Sequence, residues 1–179
     1  RDNIMKYLIR EPFTKEKFSK LRTGDTVLLT GTIYTARDAA HKRLNEMIEN
    51  GEKIPFDIRN SVIYYVGPTP AKPGYPSGSA GPTTSYRMDP YTPMLLKEGL
   101  LGMIGKGPRS EEVRKGAKQE GAVYFAAIGG AAALIAQCIR SSEIIAFADL
   151  GTEAIRKLEV EDMPLVVAYD TYGSDIFEQ

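Results

Sequence analysis

Alternation of β-rich and helical segments is the feature that most constrains how this chain can fold. TVLLTGTIYTA (26–36) is rich in branched and aromatic residues, and the Gly24-Asp25 turn launches it as a strand. A helix is predicted from about 36 to 50, because Ala40, Leu44, Met47 and Ile48 recur at i, i+4, i+7 and i+8. Lys42, Arg43, Glu46 and Glu49 take the solvated face, and Gly51 sits where a left-handed cap is wanted. SVIYYVGP (61–68) reads as a second strand stopped by Pro68, 94–98 as a short helix, and LLGMIG (100–105) as another strand. Ser110 suits an N-cap for a helix through Lys118, with Glu111 and Glu112 complementing its dipole. AVYFAAI, AAALIAQCI, IIAFADL, TEAIRKL and PLVVAYD then continue as strand, helix, strand, helix and strand. This pattern predicts a layered α/β domain with at least partly parallel pairing.

A length of 179 residues fits one domain over 1–179 with room for an apolar core. Lys plus Arg equals Asp plus Glu at 23 each, so the chain lacks the basic footprint of a nucleic-acid or anionic-membrane binder. That balance leaves room for local clusters of positive charge. Residues 122–137 are uncharged and mostly apolar, near the length of a membrane span. The Gly129-Gly130 pair divides them into a strand-like and a helix-like half, and no membrane helix is expected. Cys138 is the single cysteine, too few for an intramolecular disulfide or for a cluster that needs three or four thiolates. It is expected in the core. With no basic-then-apolar leader pattern, a reducing, cytoplasmic setting is the expectation.

Common catalytic signatures fail. Gly105-Lys106-Gly107 lacks the upstream glycine and the following Ser or Thr of a phosphate loop. No G-x-G-x-x-G opens a helix, and no zinc motif is present. The single histidine, His41, reads as a surface or boundary residue of its helix. Three segments remain. In TARDAAH (35–41), Arg37 stands at a strand-to-helix passage, where free N–H groups attract anions, although an arginine paired with Asp38 or a neighbour's carboxylate is the plainer reading of the local chemistry. In SGSAGPTTSYRMD (77–89), small residues allow close backbone approach and Thr83, Thr84 and Ser85 offer hydroxyls. A helix or turn starting after Pro82 would bring Arg87 beside Thr83 or Thr84; a rigid loop with an exposed arginine is the plainer alternative. In MIGKGPRS (103–110), Lys106 follows an apolar strand at the end where α/β sheets bind ligands, though a solvated turn lysine is the commoner case. Together Arg37, Arg87 and Lys106 suit a small dianion better than a nucleotide, since two carboxylates want separate cationic anchors.

GSAGPTTSYRMDPYTPMLL, with TGTIYTARDAAHKRL before it and GMIGKGPRS after it, resembles the β subunit, or C-terminal half, of class I fumarases and of L(+)-tartrate dehydratases. The resemblance runs from about Thr23 to Tyr172. It implies a swivelling β/β/α domain that works with an α subunit, whose three cysteines hold a [4Fe–4S] cluster with one iron open to substrate. Arg37, Arg87 and Lys106 match carboxylate-binding positions, and Thr83 matches a threonine of proton transfer; no residue here is expected to ligate a metal. Reversible hydration of fumarate to L-malate in a hetero-oligomer of α and β pairs is the implied activity, with tartrate dehydration sharing every motif. A non-enzymatic dicarboxylate-binding swivelling module is the alternative of another class.

Overall fold

A computed structural model describes residues 3–128 and 132–178. The elements in chain order are β1 (Lys6–Arg10), α1 (Lys15–Ser19), β2 (Thr26–Thr35), α2 (Asp38–Glu49), β3 (Val62–Tyr64), a 3-10 turn (Ser85–Met88), α3 (Thr92–Lys97), β4 (Gly102–Gly105), α4 (Glu111–Glu120), β5 (Val123–Ala127), α5 (Ala132–Gln137), β6 (Ile139–Ala146), a 3-10 segment (Ala148–Glu153) and β7 (Ile155–Tyr169). Strands β1 to β5 run parallel in that order. The long β7 lies antiparallel to β5 and β6 on one edge and to β2 on the other, closing β2, β3, β4, β5 and β7 into a ring. The chain is therefore a mixed α/β domain with a barrel-like sheet.

Alternation along the strands fills two apolar layers. Val62 and Tyr64 face the inside of the ring with Leu29, Ile33, Phe125, Leu158 and Leu165. Ile63 and Tyr65 face outward, where α2, α3 and α4 cover the sheet through Ala40, Leu44, Leu95, Leu96, Val113 and Ala117. Each large side chain so buried contributes about 1.5–3 kcal/mol of transfer free energy. The α4 helix begins as its residues dictate: Ser110 Oγ accepts from Val113 N–H at 3.3 Å, and Gly121 ends it in the left-handed region. Gly51, at φ +71°, does the same beyond α2.

Several segments depart from the pattern read in the sequence. TEAIRKL is not a helix: residues from Ile155 onward belong to β7. Ile155 and Leu158 stand three apart, one face of a helix but opposite faces of a strand; here Ile155 packs in the outer layer and Leu158 inside the ring. The strand expected at 144–150 begins earlier, at Ile139, and stops at Phe147, whose φ of +57° turns the chain into the 3-10 segment. Cys138 lies in the turn between α5 and β6, half-buried against the ring core rather than inside a helix. β1 and α1, short and dense in charge, give no periodic signal. The Gly129-Gly130 break lies outside the described residues. Among those described, no helix is long and apolar enough to cross a membrane.

Candidate functional site

Parallel pairing sends the C-terminal ends of β2, β3 and β4 to one rim of the ring, and the three segments singled out in the sequence gather there. Arg37 follows β2 as the residue before α2, in extended conformation. Ala36 N–H donates to Tyr64 O at 3.1 Å, tying this exit to the end of β3. Gly67, just beyond β3, makes room for the arginine: a Cβ there would come within 3.2 Å of Arg37 Cδ. The loop after β3 returns over the rim, and Thr83 N–H donates to Tyr65 O at 2.7 Å. Thr84 forms a parallel bridge with Lys106 at the end of β4. Ser85 N–H then donates to Lys106 O at 2.9 Å.

Asp38 completes the rim. Its Oδ2 accepts from Arg87 Nε at 3.0 Å, while its Oδ1 lies 3.8 Å from Arg37 Nε. That Oδ1 and that Nε are both buried without a hydrogen-bond partner among the described residues. The pairing of Arg37 with Asp38 that the sequence allowed is thus present as an ion pair but not as a hydrogen bond, and Asp38 is shared with Arg87. Arg87 is 45% exposed and the Lys106 side chain is also exposed. Among the described residues, neither the Lys106 ammonium nor the Thr83 hydroxyl has a partner. Arg87 turns to Asp38 rather than to the threonines, since its helical turn starts only at Ser85.

The start of α2 is less open to anions than its sequence suggested. Glu153 Oε1 accepts from Ala39 N–H at 3.2 Å, so an internal carboxylate already occupies this helix terminus. His41 departs further from expectation. It is fully buried, edge-on to Tyr65 at 5.3 Å between ring centroids, and Nδ1 lies 2.9 Å from Arg37 O. A carbonyl only accepts, so Nδ1 carries the proton, and desolvation lowers the pKa to about 4, keeping the ring neutral. The apolar stripe of α2 continues through this residue, which is the signal that could have placed it inside.

Two further residues of the motifs serve beneath the rim, and neither was singled out in the sequence. Arg109 has a wholly buried side chain whose Nε donates to Asp89 Oδ1 at 2.6 Å. Its Nη2 donates to Tyr65 Oη at 3.1 Å and to Thr92 Oγ1 at 3.0 Å. The guanidinium carbon also lies 5.0 Å and 4.8 Å from the ring centres of Tyr65 and Tyr124. A buried arginine requires such complete pairing. An acid and a base 20 residues apart gave no local signal.

Among the described residues the rim carries the cations Arg37, Arg87 and Lys106, the Asp38 carboxylate between the two arginines, and the hydroxyls of Thr83 and Thr84. Among the described residues no three His, Cys, Asp or Glu side chains converge as metal ligands, and the chain has a single thiol. Comparison with known proteins bears on which family builds such a rim. A family model described as "Fumarase C-terminus" matches residues 2–179. The anaerobic class I fumarate hydratase of Escherichia coli K12 is 46% identical over 165 residues, covering 91% of this chain and 30% of that protein. Fumarate hydratase 1, mitochondrial, of Leishmania major is 41% identical over 170 residues, 94% of this chain and 31% of that protein. A protein of Methanocaldococcus jannaschii, provisionally named L(+)-tartrate dehydratase subunit beta, is 42% identical over 172 residues, covering 93% of this chain and 88% of its own length. The chain thus spans about 30% of the length of the fumarate hydratases but nearly all of the subunit. With the family match extending through the rim segments, this chain belongs to the fumarase C-terminus family.

Proposed function

We propose that this chain supplies the carboxylate-binding and proton-transfer half of a hydro-lyase site that interconverts fumarate and L-malate. The observation that carries the reading is the gathering of Arg37, Arg87, Lys106 and Thr83 on one open rim. Arg37, Arg87 and Lys106 hold the two carboxylates of the substrate and stabilise the charge that builds on one of them when the neighbouring carbon loses its proton. Thr83, whose hydroxyl is without a partner among the described residues, takes or returns that proton. A threonine is a poor base alone, so a carboxylate of a partner α subunit polarises it. The [4Fe–4S] cluster expected from the resemblance has no ligand set among the described residues, and we assign it to that cysteine-bearing partner. A cytoplasmic α–β hetero-oligomer is the assembly that follows from this reading.

A second reading, a tartrate dehydratase subunit, is favoured by one observation: the chain spans nearly the whole of the Methanocaldococcus subunit beta. The test is anaerobic hydration of fumarate by this chain with a cluster-loaded, cysteine-bearing partner, beside Arg87→Ala. Activity in the mixture alone is expected, and loss of one charge-assisted hydrogen bond should lower kcat/KM roughly ten- to a hundredfold. Arg87→Ala at the unaltered rate would remove Arg87 from the site. Turnover of tartrate but not fumarate would move the assignment to the second reading. Dicarboxylate binding with no turnover of either would leave a binding module.

A further inference from the structure

The glycines around Lys106 have separate physical reasons. A Cβ on Gly105 would fall 1.9 Å from Ser85 Oγ, and Gly107 has a φ of +82°. Close approach is needed on one side of the lysine and a left-handed turn on the other. Between them the peptide units around Lys106 are held by two side chains that are both 0% exposed, Ser85 and Tyr124. Lys106 N–H donates to Ser85 Oγ at 3.0 Å. Tyr124 Oη lies 2.7 Å from Ser85 Oγ and 2.7 Å from Gly107 O.

The direction of these bonds follows from what each atom can do. Gly107 O only accepts, so the one phenolic proton of Tyr124 goes to it. The contact between the two hydroxyls is then made by the proton of Ser85, which is free to donate because its oxygen already accepts from Lys106 N–H. The relay runs from the peptide N–H of Lys106 through Ser85 and Tyr124 to the carbonyl of Gly107. Desolvation holds the Tyr124 phenol well above its ordinary pKa, so it keeps this proton. The Arg109 guanidinium, 4.8 Å from the Tyr124 ring centre, and Tyr169, edge-on at 5.2 Å, fix the ring that carries it.

We infer that Ser85 and Tyr124 are positioning residues for Lys106, clamping its peptide backbone so that the exposed ammonium meets a substrate carboxylate from a fixed root. This inference rests on the carboxylate-binding role proposed for Lys106. Holding the root removes backbone freedom that binding would otherwise have to freeze, which is why a buried relay matters to an exposed lysine.

Tyr124→Phe removes the last donor and keeps the ring, and Ser85→Ala removes the middle of the relay. Each is examined by amide hydrogen exchange at Lys106 in the chain, and by kcat/KM for the dicarboxylate in the complex with the cluster-bearing partner. Tyr124→Phe is expected to speed Lys106 amide exchange and to lower kcat/KM roughly tenfold, mostly through KM. In a Lys106→Ala background it should cause no further loss, because the two residues then act on one interaction. Ser85→Ala should give the same signature. Unchanged Lys106 exchange in both variants overturns the inference, and so does an equal loss in the Lys106→Ala background, which marks a merely structural role. Activity that falls with Lys106→Ala but ignores Tyr124→Phe sinks the inference alone. Activity indifferent to Lys106→Ala sinks the reading of the site beneath it, and the inference with it.

Discussion

Inside the ring, Leu29, Ile33, Phe125 and Leu165 pack against hydrocarbon, and the Tyr64 phenol gives its proton to Ala80 O. Outside the ring, the layer under α2, α3 and α4 buries His41, Asn45, Ser85, Thr92 and Arg109 among its apolar side chains. Apart from the Tyr64 hydroxyl, these inner side chains make contacts that any well-fitting hydrocarbon could make. The outer layer has directional contacts, and they connect to the rim: Arg109 donates to Asp89 and lies over the Tyr124 ring, Tyr124 accepts from Ser85, and Ser85 accepts from Lys106 N–H. Burial of polar groups is costly unless they are paired, so a chain that places these five in the outer layer does so where orientation matters. That layer lies beneath the rim.

Substitutions can break this contrast. Arg109→Met should have the largest effect, about 4 kcal/mol in urea unfolding, because it removes the charge partner of Asp89 Oδ1. It should also lower activity per folded molecule by loosening the rim. Leu29→Ala, inside the ring, should cost about 3 kcal/mol through the cavity it leaves, with kcat/KM per folded molecule unchanged. If both variants lost activity alike, the division of labour between the layers would be wrong.

The smallest effect near neutral pH belongs to His41. Its pKa falls from 6.5 to about 4 on folding, so the unfolded chain takes up a proton that the folded chain refuses. Stability from this group is complete above pH 6.5 and is lost as pH falls from there to about 4. The loss totals roughly 3 kcal/mol at about 1.4 kcal/mol per pH unit. The difference in unfolding free energy between the parent and His41→Gln should therefore shift by that amount across the window and stay constant above it. A difference that stayed flat would mean His41 is not buried neutral.

The sequence made the alternation of elements legible, because β2 is rich in branched and aromatic residues, α2 and α4 carry a periodicity or a cap, and β4 lies in an apolar run. It also drew attention to Arg37, Thr83, Arg87 and Lys106, which cluster on one rim. What it hid depends on distance along the chain. Ile155 and Leu158 satisfy a helical spacing, and only pairing of β7 with β2 and β6 overrides it. Arg109 and Asp89 are ordinary surface types until the fold brings them together out of water. The glycine at 105 looked like part of a loop signature, when its reason is an oxygen contributed from 20 residues earlier in the chain.

Closure of the ring also sets an order of events during synthesis. Asp162 N–H donates to Thr30 Oγ1 at 2.9 Å across 132 residues, and every pairing of β2 with β7 spans a comparable length. The strands that carry the rim leave the ribosome well before the strand that closes the ring behind them. Until β7 arrives, β2 has an unpaired edge and the inner hydrocarbon faces water, the condition under which nascent chains fold slowly and adhere to one another. Chains cut short before β7 would keep every rim residue named here, yet be the form most exposed to aggregation.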